Sequence, residues 1–125
     1  MDKNKVLSLS SNADALTARE DILRRGGLSV TSVMTPMQAR FEIEMGRCGV
    51  FLICYRISRA AANELASFFR HMCPQGRIVF ITDSMSDDAT VVPVETDAKV
   101  AEPRQSELLV STIKRDDIKP GKVAA

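Results

Sequence analysis

The sequence predicts a three-layer α/β fold, a five-stranded parallel sheet with helices on both faces. Short apolar runs, among them VFLIC (50–54) and IVFIT (78–82), contain no charged residue, as strands do when helices cover both sides. Amphipathic segments separate these runs, and strand and helix alternate three times by residue 82, which calls for parallel pairing through right-handed crossovers. With 125 residues, the chain makes one domain that buries roughly two thirds of its unfolded surface.

The elements follow in order. KVLSLS (5–10) is a short first strand. SNADALTAREDILRR (11–25) is a helix with Leu16, Ile22 and Leu23 inward. Asn12 or Asp14 caps its first turn, and Gly26-Gly27 ends it through a left-handed cap. LSVTSV (28–33) is the second strand. Thr35 caps the next helix and Pro36 takes its first position, where proline's missing N–H is harmless. Met37, Phe41 and Met45 recur every four residues and are expected to form its buried stripe. GVFLICY (49–55) is the third strand, and SRAAANELASFFRHMC (58–73) the third helix, with Ser58 as cap. Its inner side is expected to carry Ala61, Leu65, Phe68, Phe69 and Met72. Pro74 and Gly76 break it before RIVFIT (77–82), the fourth strand. A fourth helix within 83–97 is expected to be short or irregular, because Pro93 interrupts it and Thr90-Val91-Val92 is a poor helical run. AKVAEP (98–103) is the last strand and RQSELLVSTIK (104–114) the last helix, with Leu108, Leu109 and Ile113 inward. Residues 115–125 read as a flexible tail after a domain spanning 1–114.

Composition excludes several functions. A net charge of +1 with one Tyr and no Trp supplies neither a field nor a stacking platform for nucleic acid. No apolar stretch reaches the ~20 residues that span a bilayer, and the first ten residues lack a signal-peptide core. A cytoplasmic protein without nucleic-acid or membrane partners is expected. Cys48, Cys54 and Cys73 show no metal-binding spacing, with or without His71, and are read as free thiols.

In a parallel α/β sheet, chemistry gathers beyond the carboxyl ends of the strands. Those ends here are Ser10-Ser11, Cys54, Thr82 and Glu102-Pro103. Together with the element order, and with SELL (106–109) opening the last helix, they make residues 4–114 resemble the receiver domain of bacterial response regulators. The resemblance implies a flavodoxin-like sheet of order 2-1-3-4-5. In that family the first strand ends in an acidic pair and the third in a phosphoacceptor Asp. The fourth ends in Thr or Ser and the fifth in Lys-Pro. Thr82 and Pro103 match. Ser10 and Ser11 replace the acidic pair, Cys54 the acceptor and Glu102 the lysine.

These replacements imply a degenerate phosphorylation pocket. Receiver phosphorylation needs Mg²⁺, a hard cation that asks for oxygen ligands. Neutral serines and a soft thiol are poor substitutes, so no Mg²⁺, other metal or cofactor is expected. Asp14 and Asp83 lie near the rim but off the matched positions. An acyl phosphate cannot form on Cys54, and Glu102 would repel a phosphoryl group where the lysine attracts one. Cys54 is then a small apolar filler. A redox-active thiol is the alternative, with Arg56, two residues on, as the nearest cation in sequence. Ser10 and Ser11 could cradle an anion, but no glycine-rich loop supports this. His71 reads as a surface residue at a helix end. The function expected is a non-enzymatic, phosphorylation-independent receiver-like module of two-component signalling, acting without an output domain through a protein partner or self-association. The alternative is a small-molecule or redox sensor using the same pocket.

Overall fold

Unbroken apolar runs become the middle of a parallel sheet because both faces of each strand must leave water. The computed structural model describes residues 3–83, 92–102 and 105–114. Its strands are β1 (Lys5–Leu9), β2 (Ser29–Val33), β3 (Val50–Cys54), β4 (Arg77–Asp83) and β5 (Ala98–Glu102). All pair in parallel in the order β2-β1-β3-β4-β5. This is the expected flavodoxin-like order. The helices are α1 (Ala13–Arg25), α2 (Pro36–Met45), α3 (Arg59–Met72) and α4 (Leu109–Lys114), the last preceded by a 3-10 turn at Ser106–Leu108.

The alternation of side chains along each strand divides the core in two. Phe51 and Ile53 of β3 join Leu7, Leu9, Ile78 and Phe80 beneath α2 and α3. Val50 and Leu52 point the other way, towards Leu23 of α1 and Leu109 and Ile113 of α4. Every residue of β3 is buried, so its carboxyl end opens within the molecule.

The helix caps are those expected from sequence. Asn12 Oδ1 accepts a hydrogen bond from the Ala15 N–H at 2.9 Å. Thr35 Oγ1 accepts from the Gln38 N–H at 3.1 Å and Gln38 Oε1 accepts from the Thr35 N–H at 3.2 Å, a reciprocal capping box. Ser58 Oγ accepts from the Ala61 N–H at 3.3 Å. At the end of α1 the left-handed residue is Gly27, with φ +86°. Gly26 serves a different need: a Cβ there would come within 2.6 Å of the Val110 side chain, so its hydrogen lets α1 approach α4.

The helix faces need corrections. Met37, Phe41 and Met45 do form one stripe, but it faces outward, with relative exposures of 82, 54 and 52%. Ala39 and Ile43 are the buried residues of α2. A four-residue recurrence defines a face without saying which way it turns; small Ala39 allows the close approach to the sheet. In α3, Leu65 and Phe69 are buried as expected, while Ala62 and Ala66 complete the inner face. Ala61 and Phe68 pack partly buried against that core, and Met72 is exposed at the helix end. Leu108 is likewise exposed, whereas Leu109 and Ile113 are buried. The segment expected to hold an irregular helix is described only from residue 92, where a turn is closed by the Thr96 N–H on the Pro93 carbonyl at 3.2 Å. Residues 84–91, Pro103 and the 115–125 tail lie outside the described residues.

Candidate functional site

The strand ends converge as the topology requires. Ser10 directly follows β1 and is fully buried. Its N–H donates to the Val33 carbonyl at 3.2 Å, and its Oγ accepts from the Asn12 N–H at 3.2 Å. The hydroxyl is thus part of the entry into α1. Ser11 is exposed. Cys54 closes β3 opposite Ile81 and is completely buried. Thr82 and Asp83 end β4 opposite Ala101 and Glu102 of β5, and all but buried Ala101 are half-buried.

The residue that organises this end of the sheet is Arg19, which the sequence reading did not single out. It projects from the middle of α1 and is only 2% exposed. Arg19 Nε donates to Glu102 Oε2 at 2.9 Å and Nη2 to Glu102 Oε1 at 2.8 Å. Nη2 also contacts Cys54 Sγ at 3.2 Å. The guanidinium therefore bridges α1, β3 and β5. Burial pulls the Arg19 pKa down. The hydrogen bond to Glu102, with Cys54 and the Glu102 charge adding to it, more than offsets that and lifts the pKa above its ordinary value, so the side chain stays a cation. Its remaining nitrogen, Nη1, is buried and meets no hydrogen-bond partner among the described residues.

Arg19 follows Leu16 by three positions and precedes Leu23 by four, which places it on the buried stripe of α1. That spacing was the available signal. Arg56, the nearest cation to Cys54 in sequence, is exposed and lies over the Tyr55 ring at 5.3 Å. Asp14 is exposed in the first turn of α1, and His71 is exposed in the last turn of α3.

These residues do not fit a divalent cation. Such an ion needs several oxygen ligands, but both Glu102 oxygens accept from Arg19 and the Ser10 hydroxyl accepts from Asn12. The guanidinium, 3.2 Å from the Cys54 sulfur, would repel a second cation. No group of three metal-ligating side chains forms among the described residues.

The thiols are free. Burial, with smaller contributions from Cys73 and Glu42, pushes the Cys48 pKa up to about 11. Burial also raises that of Cys73. No helix among the described residues is long and apolar enough to cross a membrane.

No protein-family model and no curated protein matches the sequence. Solved structures do match in shape. A two-component response regulator from Clostridium difficile superposes with a TM-score of 0.74 at 18% identity, over 89% of this chain and 93% of that one. A chemotaxis response regulator of Vibrio cholerae gives 0.75 at 16% identity, over 89% and 96%. A Burkholderia pseudomallei response regulator, solved with a phosphorylated aspartic acid and a calcium ion, gives 0.76 at 16% identity, over 92% of this chain and 68% of that one. At these identities the likeness is one of architecture: the chain has the fold of response-regulator receiver domains.

Proposed function

We propose that the protein is a phosphorylation-independent receiver-like signalling module, cytoplasmic and non-enzymatic, that acts by binding another protein. The supporting observation is the Arg19 bridge. In receiver domains, acidic side chains hold Mg²⁺, an Asp accepts the phosphoryl group and a Lys pairs with it. Here Ser10, Ser11, Cys54 and Glu102 take those positions, and Arg19 joins Cys54 to Glu102 by contacts of 2.8–3.2 Å. A cation from α1 and an anion from β5 offset each other inside the chain, where the resemblance would place metal and phosphoryl group. Thr82 keeps the family's residue at the end of β4, in a pocket with no acceptor to report on.

A thiol sensor is the second reading, favoured by the cation 3.2 Å from Cys54 Sγ. The complete burial of Cys54 and the double engagement of Arg19 by Glu102 weigh against it. Intact-mass measurement after incubation with acetyl phosphate and Mg²⁺ tests the first reading. No phosphoryl adduct is expected, and a Mg²⁺-dependent gain of one phosphoryl group would overturn it. Alkylation of Cys54 faster than of half-buried Cys73 at neutral pH would move the thiol reading ahead.

A further inference from the structure

A cleft of about 310 Å³ lies at the amino ends of the strands, the end of the sheet opposite Cys54 and Glu102. Gly49 and Val50 line it from the start of β3, Arg77 from the start of β4, and Ile113 and Lys114 from the last turn of α4. Arg77 opens β4 ahead of the apolar run IVFI and is only 9% exposed. Strand alternation sends its side chain to the face of Val79 and Ile81, beneath α4. There its Nη1 donates to the Ile113 carbonyl at 3.4 Å, one of the carbonyls that a helix end leaves without an intrahelical partner.

The charges of the cleft are of one sign. None of the described residues lining it is acidic, whereas Lys3, Arg77 and Lys114 are cations. The Lys114 ammonium is held on the Gly26 carbonyl at 2.6 Å, so Lys3 and Arg77 carry the charge that a ligand would meet. A buried guanidinium is well placed beside a carboxylate, and the sequence brings two within reach. Asp116 and Asp117 follow Ile113 by three and four positions, the spacings that share one side of a helix. Arg115, two positions on, does not share it. Even fully extended, the four residues from Ile113 to Asp117 span no more than about 14 Å, and Arg77 already touches the Ile113 carbonyl. So short a tether gives these carboxylates an effective concentration on the order of millimolar at the cleft. A free anion, or an acidic segment of another protein, has to compete with that.

We propose that residues 115–117 fold over this cleft, with the Asp116 and Asp117 carboxylates on Arg77 and Lys3. The chain then supplies its own acidic ligand at the amino ends of the strands, and an outside anion enters only by displacing it. The state of the strand-end pocket, at the far end of the sheet, does not bear on this closure. A chain that took up a phosphoryl group could still close the cleft, and one that left it open would still lack a phosphoacceptor.

Backbone relaxation of the full, isotope-labelled chain is the test, read together with the amide shifts of Asn4, Gly49 and Gln75, which line the cleft. In the wild type, Asp116 and Asp117 are expected to show order parameters above about 0.6, out of the flexible range. The double variant Asp116→Asn/Asp117→Asn removes both charges with little change of shape. It should lower the order parameters of both positions below about 0.6 and shift the three cleft amides. Three results would overturn the proposal: order parameters already below about 0.6 in the wild type, order that the double substitution leaves unchanged, or a loss of order that does not move the cleft amides. Saturable shifts of those amides when inorganic phosphate is added to the wild type would overturn it as well, because the cleft would then be open to an outside anion.

Discussion

Arg19 and Glu102, 83 residues apart in sequence, form a two-pronged ion pair with hydrogen bonds of 2.9 and 2.8 Å. The arginine side chain is 3% exposed and the carboxylate 19%, so water screens the pair poorly. Its role is to keep each charge from being buried alone, more than to add net stability.

Single and paired substitutions should separate those two effects. Arg19→Met leaves the Glu102 carboxylate without its cation and should cost about 3–5 kcal/mol, as breaking a buried pair does. The double variant Arg19→Met/Glu102→Leu should recover most of that loss. Glu102→Lys should destabilise more than Glu102→Gln because it sets an ammonium beside the guanidinium. Urea unfolding of the set measures all four.

Cys54 is expected to behave as filler. Removing its sulfur leaves Arg19 Nη2 still bonded to Glu102, so Cys54→Ala should cost about 1 kcal/mol, a small loss of buried volume. A loss of several kcal/mol in the same unfolding assay would mean that the sulfur–guanidinium contact carries more of the fold than this account gives it.

The buried Cys48 thiol gives a pH dependence. Its pKa is about 11 in the folded chain against an ordinary value of 9.0. Between these values the unfolded chain has released a proton that the folded chain retains, so stability falls as pH rises through this window. Below the window the contribution is constant. Cys48→Ala should flatten the decline, as read from melting temperatures across pH 8 to about 11. Wild-type Cys48 should also alkylate slowly at neutral pH, since the thiolate is the nucleophile.

The two faces of α2 should respond oppositely to substitution. Ala39 is completely buried, and Ala39→Leu should overpack the sheet contact and cost about 1–3 kcal/mol. Met37→Lys, on the exposed face, should change stability by no more than about 0.5 kcal/mol. Urea unfolding of the two variants distinguishes them.

What was legible in the sequence was local or repeated. Unbroken runs such as VFLIC specified central strands, and the spacing of Asn12, Thr35 and Ser58 before their helices specified caps. The outward turn of Met37, Phe41 and Met45 was hidden because a recurrence of four residues is the same whether the stripe meets the sheet or faces outward. The strand ends could be located, so Ser10, Cys54, Thr82 and Glu102 were found. Arg19 was missed because a buried charge is intelligible only with its partner, and that partner lies on the far side of the sequence. Arg56, two residues from Cys54, is the nearest cation in sequence, but the chain turns away after β3 and leaves it in water, as expected of a loop residue.

The central claim is that Arg19 occupies Glu102 and Cys54 at the strand ends, so that they hold no metal site. Amide chemical shifts followed through a titration with millimolar Mg²⁺ test it most directly, with the neighbours of Ser10, Cys54, Thr82 and Glu102 as reporters. The account predicts only weak, non-saturating changes at exposed carboxylates such as Asp14. Saturable shifts centred on Ser10 and Cys54 would contradict it.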